Sequence, residues 1–244
     1  MDDALGPRQF ATTHWSLVGA ARLDEASQTL ARAALEELCR TYWYPLYAFV
    51  RSRGYSAVDA QDLTQTFFAR TIEAGGFTAA DRERGRFRSY LLGAMKHFLA
   101  NEWHRAQTQK RGGQVQFIEW DALDPEARYA GASLQPDDPE QLFDREWALE
   151  ITGGALQALR EEMETAGKSE LFDALKGSLT GEDESPRAEI AARLDMSEGA
   201  LKVAVHRLRQ RYRSLLRATI AETVSDEANL DDEMRYLVAV LRRR

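Results

Sequence analysis

"SEGALKVAVHRLRQRYR", residues 197–213, carries six basic side chains, His206 included, and one acid, in a chain of 244 residues whose formal net charge is -7. Its apolar residues Leu201, Val205, Leu208 and Tyr212, continued by Leu215, fall at steps of four, three, four and three, the spacing of one buried helix face. The other faces carry Lys202, His206, Arg207, Arg209, Gln210, Arg211 and Arg213, all able to donate to phosphates or base edges. Ser197 offers a hydroxyl to the free amides at the start of this helix, and Glu198 in the first turn suits the positive end of the helix dipole. Upstream, "AEIAARL" (188–194) predicts a short helix with Ile190, Ala191 and Leu194 on one face, begun by Ser185 and Pro186, and "DMSEG" (195–199) predicts a tight turn. A short helix, a tight turn and a longer helix with exposed donors make the helix-turn-helix plan, whose second helix enters the major groove. An ordinary αα-hairpin with a solvated basic face is the competing reading.

Charge is distributed in blocks. Residues 1–81 carry a net -3, 82–111 a net +6, 112–186 a net -13, 187–217 a net +5 and 218–244 a net -2. The two basic islands would attract a polyanion and the acidic block between them would repel it, which points to two separate nucleic-acid contacts. Helix formers dominate and no sustained period-two alternation occurs, so the expected fold class is all-α. Between Gly112 and Pro139 the turn formers "GG", "DP", "AGAS" and "PDDP" interrupt helical periodicity, which reads as an acidic, flexible linker between two helical domains, 30–111 and 140–217. "GSLTGEDESP" (177–186) is short enough to be a loop within the second domain. No run of about 18 apolar residues occurs and no secretory leader is evident, so the expected address is the cytoplasm, without a membrane span. Cys39, the single cysteine, falls in the apolar helical pattern "LEELCRTYWYPL" and is expected to be packed.

The first basic island contains "FRSYLLGAMKHFLANEWHRAQTQKRGG" (87–113). Leu91, Leu92, Met95, Phe98, Leu99 and Trp103 are expected on its inward face, while Tyr90, Gly93, His97, Asn101 and His104 share an outer line at helical pitch, with Arg105, Lys110 and Arg111 beyond it. Aromatic faces mixed with amide and cationic donors suit unstacked single-stranded bases. His97 and His104 lack acidic or thiol companions on the same turns, so no metal site is expected there.

With "DAQDLTQTFFARTI" (59–72) added, the chain resembles bacterial RNA polymerase sigma factors of the sigma-70 superfamily, in particular the compact extracytoplasmic-function (ECF) group. The first-domain pattern Asp-Leu-x-Gln-x-x-Phe is present as Asp62, Leu63, Gln65 and Phe68. The second-domain pattern is present as Glu189, Ile190, Ala191, Ser197, Glu198, Gly199, His206 and Arg207. The resemblance covers roughly residues 30–111, as a region 2-like domain, and 140–217, as a region 4-like domain. It implies the core enzyme, through its β′ and β subunits, and promoter DNA as partners, with no catalytic activity and no cofactor. Asp59, Asp62, Leu63, Gln65 and Phe68 would dock on the β′ coiled coil, Leu63 and Phe68 being equally suited to the core. Arg88, Tyr90, Lys96, His97, Asn101 and Arg105 would open and hold the minus-10 element, with "DRERGRF" (81–87) shaping a base pocket and Phe87 suited to the core. His97 stands where the family often has asparagine. Glu198, Lys202, Val203, His206 and Arg207 would read the minus-35 duplex, and Arg209, Arg211 and Arg213 would hold phosphates or the polymerase. The linker 112–139 would thread the polymerase near the RNA exit path.

Two extensions lie outside the resemblance, residues 1–29 and 218–244. "FATTHWSLVGAA" (10–21), with Thr12 and Thr13, suits a regulatory role, and the stripe Met234, Leu237, Val238, Leu241 suits either regulation or packing on the second domain. An anti-sigma factor or a regulatory kinase acting on the chain is left open. A free-standing helix-turn-helix regulator and a polymerase-binding adaptor without promoter recognition remain as alternatives, while an enzyme acting on nucleic acid has neither clustered carboxylates nor a glycine-rich phosphate loop behind it.

Overall fold

The structure is a computed structural model that describes residues 25–73, 86–108, 125–131, 138–180, 187–224 and 227–243. Thr12, Thr13, residues 81–85, Lys110, Arg111, Ser185, Pro186 and most of 112–139 lie outside the described residues. Among those described, the fold is all-α, as expected, with ten helices and no strand. They are α1 (Glu25–Ser52), α2 (Ala57–Glu73), α3 (Phe87–Thr108), α4 (Pro125–Gly131), α5 (Pro139–Thr165), α6 (Ser169–Leu175), α7 (Gly177–Thr180), α8 (Arg187–Arg193), α9 (Glu198–Ala221) and α10 (Glu227–Arg242). No helix among the described residues is long and apolar enough to cross a membrane.

The chain groups into two compact units, one reaching Leu149 and resuming at Ala221, the other running from Glu150 to Ile220. The first is built around "YWYPLYAFV" of α1, where Tyr42, Trp43, Tyr44 and Leu46 to Val50 are all buried. A helix apolar on every side must be covered on every side. The same unit also buries Ala60, Phe67 and Phe68 of α2, Phe87, Leu91 and Met95 of α3, Phe143 and Trp147 of α5, and Leu237 and Val240 of α10, with α2 packed along α1 and the Phe87 ring edge-on to Tyr42. Cys39 is buried as expected, and burial pushes its thiol up to about 12, which keeps it protonated and unreactive.

Two stretches depart from the sequence-based division. Pro125–Gly131, inside the expected linker, is helical: proline suits a first helical position, and Glu126 the first turn. The tail belongs to the first unit, and its buried positions are Leu230, Glu233, Leu237 and Val240, whereas Val238 and Leu241 face water. The buried stripe is turned from the all-apolar one because Glu233 is drawn inward by the guanidinium groups of Arg86 and Arg88.

In the second unit Leu159, Phe172, Leu175, Ile190, Ala191, Leu201 and Leu208 form the core. Helix α5 is closed two residues past its end by Gly167, whose φ of 66° allows the amides of Gly167 and Lys168 to return to the carbonyls of Glu164 and Met163. The end of α8 repeats that motif without glycine. Asp195 takes φ 50°, its amide bonds Ala192, and the Met196 amide bonds Ala191 at 2.9 Å. The motif reverses the chain within four residues, and Ser197 then starts α9 by accepting the Ala200 amide at 3.2 Å.

Candidate nucleic-acid interface

In the second unit the interior stripe of α9 is in place. Leu201 and Leu208 are buried, Val205, Tyr212 and Leu215 pack half-buried against the same core, and the Tyr212 hydroxyl donates to the Thr152 carbonyl at 3.0 Å. With that face fixed, Glu198, Lys202, Val203, His206 and Arg207 point to solvent. Lys202, His206 and Arg207 make no hydrogen bond or ion pair with the described residues. Val203 is 49% exposed and, with Arg207, borders a groove of about 600 Å³ floored by Leu159, Met163, Leu171 and Leu175.

The arginines further along behave differently. Arg209 donates through Nη2 to the Ser178 carbonyl at 2.9 Å, and Arg211 forks onto Glu162, with Nε to Oε2 at 2.8 Å. The bonds from Arg211 hold the Glu162 carboxyl below the usual carboxylate range. Both guanidinium groups therefore tie α9 to neighbouring segments of the unit.

In the first unit α3 buries Leu91, Leu92, Met95 and Leu99, with Phe98 half-buried edge-on to Phe67. Trp103, expected to face inward, is instead 54% exposed. The outer line is present: His97, Asn101 and His104 are exposed, and Tyr90 is half-buried, its hydroxyl raised by burial. Lys96 pairs with Glu140 and Arg105 with Glu102, both pairs at the surface.

Arg88 does not belong to this surface. Its side chain is 7% exposed, paired with Asp144 at 2.7 Å and with Glu233, and its guanidinium carbon stands 4.0 Å from the Tyr236 ring centre. A group so enclosed has no face left for a phosphate, and the sequence could not show its acidic partners, which lie 56 and 145 positions away.

On α2 Asp59 and Asp62 are exposed, and Leu63 and Gln65 are half-buried. Asp59 also accepts from the Ser56 hydroxyl at 2.7 Å while its own amide donates back to Ser56, a reciprocal cap that fixes the start of the helix. Phe68, 2% exposed, is core, because its ring packs edge-on against Phe67 beneath the exposed edge. The exposed edge also includes Val58, 68% exposed, which the motif spacing did not single out.

Among the described residues no group of three or more His, Cys, Asp or Glu stands close enough to hold a metal ion. Compared with family models, with curated proteins and with solved structures, the chain finds no match.

Proposed function

We propose that the chain is a sigma factor of the ECF type, which binds core RNA polymerase and directs promoter-specific initiation. The observation that carries this reading is the row Lys202, Val203, His206 and Arg207, exposed on the first half of α9 directly after a four-residue reversal from α8, with the opposite face of α9 buried. That arrangement fits the helix-turn-helix plan, with the side chains that would meet base edges left exposed. Tyr90, Lys96, His97, Asn101 and Arg105 on α3 would hold the opened minus-10 strand, and Asp59, Asp62, Leu63 and Gln65 on α2 would meet the β′ subunit. Arg88 and Phe68 serve the core instead.

Run-off transcription with bacterial core polymerase on a random promoter library, with the starts sequenced, tests the reading. An enriched pair of elements about two helical turns apart is the expected outcome. Absence of any enriched pair overturns it. Specific duplex binding by the protein alone, with no need of polymerase, would favour a free-standing regulator.

A further inference from the structure

Where α1 ends against α3 lies a cavity of about 490 Å³, within the size range of small-ligand sites. Phe49 and Leu99, both buried, form its floor, and Tyr55 and the exposed Trp103 indole stand at its sides. Among the described residues its charged lining is of one sign: Arg53 and Lys96 line it, with the His104 imidazole beside them, and no described carboxylate does. Glu140 reaches the Lys96 ammonium from outside that lining. An aromatic face left in water beside cations, over an apolar floor, matches a ligand that is both flat and anionic. His104, set edge-on to Trp103 with ring centres 5.0 Å apart, belongs also to the outer line of His97 and Asn101, so the cavity opens onto that line at its C-terminal end.

We propose that this cavity takes one unstacked nucleotide, its base against the Trp103 indole and its phosphate on the Arg53 guanidinium. The site is separate from Phe87 and Tyr90, which stand at the other end of α3. Its assignment to a strand of opened promoter DNA rests on the sigma reading, while a free mononucleotide offers the same chemistry.

The test uses the full-length protein, tryptophan fluorescence and the anisotropy of labelled oligodeoxyadenylate, with a blunt hairpin duplex as the control and free dAMP as competitor. Binding of the single strand should quench fluorescence, and Trp103→Ala should weaken it about tenfold while leaving duplex binding unchanged. Trp103→Phe should retain most of the affinity, and Arg53→Glu should lose it and flatten the salt dependence. Displacement by dAMP at concentrations comparable to the oligonucleotide identifies a mononucleotide site, and its failure to displace identifies a strand element. Single-strand binding that is absent in the wild type, or unchanged in both Trp103→Ala and Arg53→Glu at wild-type helicity, overturns the proposal. So does equal loss of single-strand and duplex binding. None of these measurements needs polymerase, so a failure here leaves the run-off result standing, and a failed run-off experiment leaves the cavity's ligand standing.

Discussion

Arg88 shows how far a residue's surroundings can displace the role its neighbours in sequence suggest. Burial works against its charge, but the bonds from Glu233 and the charges of Glu233 and Asp144 outweigh that and raise its pKa. Removing it would leave Glu233, with its side chain only 2% exposed, with Arg86 as its remaining ion-pair partner among the described residues. Leaving a buried charge wholly unpaired costs about 3–5 kcal/mol, and because Arg86 stays 2.9 Å from Glu233 the loss here falls at the lower end, about 3 kcal/mol. Arg88→Ala is therefore expected to lower unfolding stability in urea by that amount, and Arg88→Ala with Glu233→Ala by clearly less than the two single losses added. Wild-type stability in Arg88→Ala, with only DNA affinity lost, would return the residue to the nucleic-acid surface.

Helix α4 is short, and seven residues do not make a stable helix in water by themselves. It is held by contacts with α1 and α5. Glu126 accepts from both Arg51 Nη2, at 2.6 Å, and the Tyr47 hydroxyl, at 2.6 Å; Arg128 bonds Glu146 at 2.9 Å and lies 3.6 Å from the Tyr44 ring centre. The bonds from Arg51, then from Tyr47, lower the Glu126 carboxyl from 4.5 to about 2. A depressed carboxylate contributes stability that is present above 4.5 and lost as pH falls toward 2. The shift is nominally about 3 kcal/mol, but Glu126 is 38% exposed, and solvent screening reduces it to about 1 kcal/mol. Glu126→Gln should thus be less stable than wild type by about 1 kcal/mol at neutral pH, and urea titrations at falling pH should show the difference close between 4.5 and 2. A gap that persists at the acid end would assign the effect to packing. The same helix marks a limit of the sequence. The faces of α9 were legible because Leu201 and Leu208 repeat at helical spacing, and that spacing depends only on near neighbours. Helix α4 was hidden among turn formers because its partner Arg51 is 75 positions away. Trp103, 54% exposed, departs from its expected inward place for a related reason, since periodicity identifies an apolar face but not how much of that face its neighbours cover.

Across the whole chain, a net charge of -7 coexists with exposed donors in both units, His97 and Asn101 in one and Lys202, His206 and Arg207 in the other. An acidic protein gains no general attraction to DNA, so contact must come from those local patches, and each should fail independently of polymerase association. In the sigma reading, the exposed edge of α2 with Asp59 and Asp62 serves the polymerase and the first half of α9 serves the duplex. Lys202→Glu combined with Arg207→Glu should cut run-off initiation at least about tenfold, as expected when donors to base edges or phosphates become repulsive. The log affinity of the promoter complex should also lose about 0.9 of its slope against log salt for each phosphate contact removed. Co-purification with core polymerase should be unaffected. Asp62→Lys should do the reverse, abolishing co-purification while the isolated protein keeps its affinity for single strands. Each variant is read in both assays. If both variants lose polymerase together, or if neither does, the two surfaces do not have separate duties, and the division of labour between α2 and α9 is wrong.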